Sequence, residues 1–346
     1  MLRLTGWPAV LGLLAWAGAV LAPAAAAVTP VVTATIHVGD DPQGVAVNPV
    51  TGTVYVSNLL GAPSPNGTVS VISGKTGKVT ATISVGSAPD GVAVNPVTGT
   101  VYVVNESFSQ STGTVSVISG KTDTVTATIP VGSDPQQAAF NPVTGSIYVA
   151  NGGGTISVLS GRTGKVTATI HVGFSSLAVA VNPRTGTVYV VKGSGTVSVL
   201  SGRTGKVIAT IHVGVLPEGV AVNPVTGTVY VANARSDTVS VISGKTDTVT
   251  ATIHVGSNPL AVAVNPAAGT VYVANFLSGT VSVISGKTGK LIATVRVGSQ
   301  PDGVAVNPGT GAVYVANSNS NTVSVIGGPV RLRPDARRPS PSTTAR

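Results

Sequence analysis

The 346-residue sequence contains no cysteine, few charged residues and few aromatic residues. Without cysteine the chain forms no disulfide, builds no thiolate metal site and carries no lipid on a cysteine side chain. Charged residues make up 9%, against about 25% in average globular chains, and the mean hydropathy is +0.42. Aromatic residues make up 4%, which leaves few side chains on which nucleic-acid bases could stack. We therefore expect a fold that is stabilised by packing, with strands covered on both faces.

The first 27 residues have the features of an export signal. Arg3 supplies a positive charge, residues 9–22 form an apolar stretch, and residues 25–27 are alanines that suit a cleavage site. The apolar stretch is shorter than the roughly 20 residues that cross a bilayer as a helix. We predict that residues 1–27 are a signal peptide, and that the cleaved protein is secreted or extracytoplasmic with no membrane span. An uncleaved anchor is the alternative.

One sequence unit recurs seven times along the chain. The dipeptide Asn-Pro occurs at spacings of 47, 46, 41, 41, 42 and 42 residues. Each unit contains four short runs rich in Val, Ile, Thr and Tyr, bounded by Gly, Pro, Asn or Ser, which is the pattern of β-strands. Repeats of about 40 to 45 residues with four strands each are typical of β-propellers. The sequence therefore predicts an all-β, seven-bladed β-propeller with four antiparallel strands per blade.

The four runs of a unit, named A to D in chain order, differ in polarity. In the fifth unit, run A (residues 220–222) is wholly apolar, whereas run D (residues 248–255) alternates between polar and aliphatic residues. An apolar strand suits the axis and an alternating strand the rim. A D run at residues 31–38 precedes the first A run, and the last unit stops after its C run. We predict that this N-terminal strand completes the C-terminal blade, and that residues 28–328 form one monomeric propeller.

Two motifs that resemble functional sites have structural explanations. Gly-Lys-Thr occurs in phosphate-binding loops, but in each Ser-Gly-Lys-Thr sequence the required glycine five residues earlier is a valine, and no helix is predicted to follow. We interpret these sequences as hairpin turns between runs C and D. The four histidines occupy one equivalent position of run D in different units, so they should lie apart at the rim and cannot share a metal ion. They are His37, His171, His212 and His254.

Six of the seven B runs end in Tyr-Val-x-Asn, as residues 55–58, 102–105 and 314–317 show. Together with Gly-Val-Ala-Val-Asn-Pro before it and Thr-Val-Ser-Val-Ile-Ser after it, this pattern resembles the YVTN β-propeller repeat family over residues 31–326. The fourth unit departs from it, because Lys192 replaces the asparagine. The resemblance implies an extracytoplasmic or surface-layer-like seven-bladed propeller. That family is similar to lactonase-like and streptogramin-lyase-like enzymes, so the resemblance supports the fold and says little about a reaction.

Special chemistry should lie where the repeat is broken, because equivalent side chains form symmetric rings. The residue after the D-to-A loop proline, or after Ser176 in the fourth unit, should line the mouth of the central channel. These positions hold Gln43, Asp90, Gln136, Leu177, Glu218, Leu260 and Asp302. Three carboxylates and two amides could hold a cation or a polyol, or supply an acid or base. The alternative is that Pro-Asp-Gly and Pro-Glu-Gly merely form turns.

Further departures lie in the B-to-C loops, which should project on the same face as the D-to-A loops. Lys192, Arg235 and Phe276 are candidate ligand contacts there, and two longer loops span residues 58–67 and 105–113. Basic and aromatic residues of this kind could bind single-stranded nucleic acid. The acidic residues of the same face and the small charge excess of the repeats, 14 basic against 10 acidic residues, oppose that interpretation.

Our leading hypothesis is a secreted, non-enzymatic propeller that acts as a binding or surface scaffold. Its D-to-A and B-to-C loops would contact a protein, a glycan or a small molecule, without a cofactor, a metal site or catalytic residues. The alternative is a lyase or lactone hydrolase that uses the mouth carboxylates with a divalent metal. Residues 329–346, rich in Arg and Pro, are predicted to be a disordered tail that could contact an acidic cell-wall polymer.

Overall fold

The computed structural model describes residues 30–60, 66–106, 112–173 and 175–327. Its 28 strands form seven four-stranded antiparallel sheets, the blades of a β-propeller, which confirms the fold predicted from the repeats. The described residues contain one 3-10 turn, Ser318–Ser320. Within the described ranges, no helix has the length and hydrophobicity that crossing a membrane requires. The predicted signal peptide, the tail from residue 329 and the centres of both long B-to-C loops lie outside the described residues.

The strands of each blade run from A at the axis to D at the rim, as the sequence predicts. The A strands are β2 (Asp40–Val47), β6 (Pro89–Val94), β10 (Pro135–Asn141), β14 (Ser176–Val181), β18 (Pro217–Val222), β22 (Pro259–Asn265) and β26 (Pro301–Val306). The B strands are β3 (Val54–Leu60), β7 (Thr100–Asn105), β11 (Ser146–Asn151), β15 (Val188–Lys192), β19 (Val229–Asn233), β23 (Thr270–Asn275) and β27 (Val313–Asn317). The C strands are β4 (Thr68–Ile72), β8 (Thr114–Ser119), β12 (Thr155–Ser160), β16 (Thr196–Leu200), β20 (Thr238–Ser243), β24 (Thr280–Ser285) and β28 (Thr322–Ile326). The D strands are β5 (Val79–Ser84), β9 (Thr124–Pro130), β13 (Val166–His171), β17 (Val207–His212), β21 (Thr248–His254), β25 (Leu291–Arg296) and β1 (Val32–His37).

Burial is deepest in the middle of each blade rather than at the axis. All five residues of β19 are buried, whereas three of the six residues of β18 are buried and three are half-buried. The apolar sequence of the A strands suggested that both of their faces are covered. The structure differs, because one side of each A strand lines the central channel. Outer strands are mostly exposed, and the four histidines lie on them as exposed residues.

The asparagine that ends Tyr-Val-x-Asn bonds to strand C in six blades, and in three of them, at Asn105, Asn233 and Asn317, it also bonds to the D-to-A loop. The buried Asn233 donates hydrogen bonds from its Nδ2 to Thr238 Oγ1 (3.1 Å) and Ser240 Oγ (3.0 Å) on strand C. Its Oδ1 accepts a hydrogen bond from the backbone nitrogen of Gly214 (3.0 Å), where the D-to-A loop begins. The asparagine therefore has a structural role in the six blades that carry the motif. Lys192, which replaces it in the fourth blade, does not have this role.

The ring is closed by pairing between the two ends of the chain, as predicted. β1 lies antiparallel to β28 through five residue pairs, from Val32 opposite Ile326 to His37 opposite Thr322. Ile36 of β1 packs in a core that spans the last and first blades. Asn321 adds polar contacts, because its Nδ2 donates to Asp40 Oδ1 (2.9 Å).

The A-to-B and C-to-D turns lie together on one face, which we call the turn face. Asn48 Oδ1 accepts the backbone N–H of Val50 (3.0 Å), and Gly52 takes a φ of 75°, so Asn-Pro-x-Thr-Gly is a tight turn as predicted. The Ser-Gly-Lys-Thr sequences also form turns, since each connects strand C directly to strand D. The interpretation of these sequences as hairpins is confirmed.

Deleting residues 31–39 should abolish cooperative unfolding. The deletion removes the five-pair ladder of β1 and the side chain of Ile36 from the core. Ladder bonds contribute about 1 kcal/mol each, against a total stability of roughly 5 to 15 kcal/mol. Thermal unfolding followed by circular dichroism measures the effect, and an unchanged melting temperature would contradict the closure.

Two point substitutions provide a milder version of that test. Ile36→Ala should cost about 2 to 4 kcal/mol because it opens a cavity between the end blades. Ile292→Ala is the matched control, since Ile292 lies 55% exposed on the outer strand of another blade. It should change stability by less than about 0.5 kcal/mol in urea titrations.

Asn233→Ala should destabilise the protein by about 2 to 4 kcal/mol, because it leaves buried partners without hydrogen bonds. Asn319→Ala is the control, since Asn319 is exposed and its Nδ2 donates to Ser299 Oγ (3.2 Å) at the surface. Equal losses of stability in the two variants would show that the buried asparagine has no special structural role.

Candidate ligand-binding site

The D-to-A and B-to-C loops share the face opposite the turn face, as predicted, and we call it the loop face. Backbone hydrogen bonds fasten the two kinds of loop together in successive blades. The nitrogen of Glu106 donates to the carbonyl oxygen of Ala88 (3.0 Å), and the nitrogen of Phe276 donates to that of Asn258 (2.9 Å). These main-chain contacts do not depend on side-chain identity. Side chains add further bonds in some blades, as where the backbone nitrogen of Asn258 donates to Asp237 Oδ1 (2.8 Å).

Each A strand begins with two unusual backbone features. The residue before the proline of the D-to-A loop, or before Ser176 in the fourth blade, takes a positive φ in all seven blades, between 44° and 61°. These residues are Asp41, Ala88, Asp134, Ser175, Leu216, Asn258 and Gln300. The ladder to strand B then shifts register across the mouth residue, as between Pro217 and Gly219 around Glu218. Bulges of this kind redirect a side chain and are common beside functional sites.

The seven predicted mouth residues converge on one cavity at the axis. The cavity has a volume of about 340 Å³ and opens on the ring of A strands. Its lining includes Gln43, Asp90, Gln136, Leu177, Glu218, Leu260 and Asp302. The Pro-Asp-Gly and Pro-Glu-Gly sequences form the first residues of strands β6, β18 and β26.

Glycines after four of the mouth residues allow neighbouring blades to approach closely. A Cβ built on Gly303 would lie 2.3 Å from the carbonyl oxygen of Gln43, and one on Gly219 would lie 2.3 Å from that of Leu260. Real Cβ atoms do not make such contacts, so glycine is required at these two positions for the neighbouring blades to pack this closely. The Pro-x-Gly pattern is visible in the sequence, and its glycine allows neighbouring blades to pack closely.

The mouth is polar on one side and mixed on the other. Asp302, Gln43, Asp90 and Gln136 come from four successive blades and form a continuous polar arc. Across the cavity, Glu218 lies between blades that contribute Leu177 and Leu260. The site is therefore asymmetric even though the backbone is nearly seven-fold symmetric.

Burial raises the pKa of every carboxyl group in this ring, and repulsion from other carboxylates raises the pKa of Asp90 and Asp302 further. Burial raises the pKa of Glu218 to about 7. Burial, with repulsion from Asp41 and Glu218, raises the pKa of Asp302 to about 7. The pKa of Asp90 is raised well above its ordinary value by burial and by four other carboxylates, Asp302 first. None of these effects comes from a cation. A bound cation would stabilise the ionised carboxylates and lower their pKa values.

The amides of the ring are held by acidic residues farther out. Gln136 Nε2 donates to Glu106 Oε1 (2.7 Å) and to Asp134 Oδ1 (2.9 Å), and Gln43 Nε2 donates to Asp41 Oδ1 (2.7 Å). Burial and the charge of Asp134 raise the pKa of Glu106. Among the described residues, no hydrogen bond to the side-chain oxygen of Gln43 or Gln136 is formed. Sequence reasoning missed this outer acidic set. The contact of Gln136 with Glu106 joins loops of adjacent blades, whereas the other two contacts join residues two positions apart in one loop.

The other three predicted site residues lie on the loop face but do not line the cavity. Lys192 ends strand β15, and Arg235 and Phe276 lie in B-to-C loops. Arg235 is exposed, whereas Lys192 and Phe276 are half-buried. These side chains flank the Glu218 side of the opening, so a ligand that contacts both sets must extend beyond the cavity.

Among residues 30–60, 66–106, 112–173 and 175–327, no three carboxylate or imidazole side chains come close enough to ligate one metal ion. The mouth carboxylates come from blades two, five and seven, which keeps them apart. The cavity thus suits a ligand that reaches several separate groups better than a single ion held by all of them.

Comparison with known proteins supports the fold and no particular chemistry. No protein-family model matches the chain, and the comparison with curated proteins gives no significant match. Among solved structures, the chain is similar to Kuenenia stuttgartiensis hydrazine synthase, with a TM-score of 0.75 and 21% sequence identity. The similarity covers 84% of this chain and 96% of that one. At this identity the match shows a shared β-propeller and nothing more.

Asp302→Asn should stabilise the protein above neutral pH. A carboxyl group whose folded pKa is raised binds its proton more tightly in the folded state, so its stabilising contribution is present below about pH 4 and is lost as the pH rises through about 7. Asparagine does not ionise and avoids this loss. Three pKa units correspond to about 4 kcal/mol, and because Asp302 keeps partial access to channel solvent we expect about 1 to 3 kcal/mol at high pH.

Urea unfolding between acidic and alkaline pH measures this difference. Asp40→Asn is the control, since Asp40 is an exposed carboxylate of the loop face outside the cavity. If Asp302→Asn and the unchanged protein differ by a constant amount at all pH values, the raised pKa of Asp302 is wrong.

Proposed function

We propose that this propeller is a non-enzymatic binding protein whose central cavity takes a small organic cation. The observation that supports this most directly is the convergence of three carboxylates and two amides on one cavity of about 340 Å³. A ligand with an ammonium group would neutralise the repulsion among Asp90, Glu218 and Asp302. Leu177 and Leu260 would contact its apolar part.

The raised pKa values favour a cation over an uncharged polyol. Two ring carboxyls with pKa values of about 7 are partly protonated at neutral pH, and a cation would shift them to the ionised form. Binding should therefore release protons. A polyol can bond to either protonation state, so its binding would depend little on pH.

Isothermal titration calorimetry with 1,4-diaminobutane and choline, against erythritol and glucose, tests the proposal. We expect heat with at least one cation, and an affinity that rises roughly 10- to 100-fold from about pH 6 to about pH 8 as the ring ionises. Amines with a pKa of about 10 stay charged throughout this range. Binding of the polyols alone, independent of pH, would contradict a cation site.

Two triple variants locate the binding. Asp90→Asn, Glu218→Gln and Asp302→Asn together should abolish cation binding and leave the fold intact. The matched control replaces three carboxylates that lie outside the cavity and do not contact its lining. It consists of Asp40→Asn and Asp237→Asn on the loop face and Asp247→Asn on the turn face. Equal losses in both triples would mean that general surface charge, and not the cavity, attracts the ligand.

Acid–base catalysis is the second candidate, and one observation favours it. Carboxyl groups with pKa values of about 7, such as Glu218 and Asp302, suit proton transfer at neutral pH. A lyase or lactone hydrolase would use them in this way. Direct ligation of a divalent metal by several ring carboxylates has less support, because they are not clustered. Turnover of lactones that disappears in the ring triple variant would favour the enzyme.

We extend the proposal to the family, the export and the scaffold role that the sequence predicts. We infer that the chain is a member of the YVTN repeat family, that residues 1–27 direct export, and that the loop face serves as a binding or surface scaffold. Arg235, Lys192 and Phe276 would contact the part of a larger partner, such as a glycan or protein, that projects from the cavity. Mass spectrometry of the protein recovered from an exporting host tests the cleavage near Ala27.

A further inference from the structure

The charged residues of the ring are segregated between its two faces. Eleven basic residues and two acidic ones, Asp123 and Asp247, lie on the turn face, a formal balance of +9. The basic residues are Lys75, Lys78, Lys121, Arg162, Lys165, Arg184, Arg203, Lys206, Lys245, Lys287 and Lys290. The loop face and its rim carry eight acidic residues and three basic ones, Lys192, Arg235 and Arg296, a formal balance of −5. The small net charge of the repeats therefore hides two oppositely charged faces.

The cations form the outer part of the turn face. Ten of the eleven lie in the C-to-D turns, toward the rim, and they are distributed over six blades. All eleven side chains are exposed. The repeat places equivalent turns at equivalent heights, so the charges lie in a ring on a broad surface rather than along a groove.

Apolar side chains occupy the inner part of the same face. The residue after the proline of four A-to-B turns is a valine, at Val50, Val97, Val143 and Val225. Val97 is 84% exposed, Val50 75% and Val225 62%. Single exposed valines are common on protein surfaces and need no explanation. Here, however, four valines occupy the same tip position in four turns of one face and so form a group of exposed apolar side chains. The turn face thus has an apolar centre within a cationic ring.

We propose that the turn face docks on an anionic lipid surface. The basic side chains would contact the headgroups, and the valine tips would enter the interface between headgroups and acyl chains. Each lysine or arginine near an anionic bilayer contributes about 1 kcal/mol, and apolar insertion adds to that attraction. Docking in this way leaves the loop face and its cavity directed away from the membrane.

The arrangement fits a flat partner better than a linear one. A nucleic acid or wall polymer follows a basic track, whereas a plane can contact all the turns of a ring at once. A linear polyanion also gains nothing from the exposed valines. The lipid surface is the partner that uses both observed features of the face.

Sedimentation with vesicles of phosphatidylcholine, with and without phosphatidylglycerol, tests the proposal. The chain from Val28 to Arg346 is suitable, because it contains all 28 strands of the closed ring. We expect binding to the anionic vesicles alone, weakening as salt rises from about 50 to 500 mM. Binding that is absent, or equal for both vesicles, would overturn the proposal.

Charge-matched variants assign the binding to one face. Lys165→Gln, Arg203→Gln and Lys206→Gln together should weaken it roughly 30- to 100-fold. Lys192→Gln, Arg235→Gln and Arg296→Gln remove the same charge from the opposite face and rim, and they should change it less than about 3-fold. Equal effects of the two triples would overturn the assignment to the turn face.

Two further variants distinguish other sources of binding. Val50→Ser, Val97→Ser and Val225→Ser together should weaken vesicle binding roughly 10-fold and leave polyphosphate binding unchanged. If these variants bind vesicles normally and soluble polyphosphate competes fully, the partner is a linear polyanion and the membrane proposal fails. The proposal also fails if serine in place of the five tail arginines abolishes binding. Those arginines are Arg331, Arg333, Arg337, Arg338 and Arg346.

Discussion

The antiparallel pairing of β1 with β28 is the contact on which the rest of the structure depends. It joins the first and last strands of the chain in one blade and so turns seven sheets in a row into a ring. Only a closed ring brings the starts of all seven A strands around one axis. The central cavity, the common direction of the loops and the separation of charge between two faces all follow from that closure.

The repeat and its exceptions have separate tasks. Repeated residues build the blades, as Asn233 shows by joining strand B to strand C and to the D-to-A loop. The mouth position is different, because its side chain changes from blade to blade while its bulged backbone stays the same. A symmetric framework thereby presents an asymmetric set of groups, with a polar arc facing Glu218 and its flanking leucines.

The repeat spacing predicted the fold, the order of strands and the convergence of the mouth residues, since each depends on position within one unit. Contacts between units could not be predicted in this way. The bond from Gln136 to Glu106 joins loops of adjacent blades, and the pKa of Asp302 depends on Asp41 and Glu218 from other blades. The two charged faces could not be predicted from the sequence either. Turn-face lysines and loop-face carboxylates alternate along the chain, so their charges nearly cancel in any stretch of sequence.

Native-state hydrogen exchange of β1 tests the closure most directly. If the ring depends on this strand, the amide hydrogens of β1 that bond to β28 should exchange only on global unfolding, with the same free energy as those of the buried strand β27. Exchange of the β1 amides at a free energy several kcal/mol lower, with β27 still protected, would show that the blades hold together without the N-terminal strand and would contradict this account.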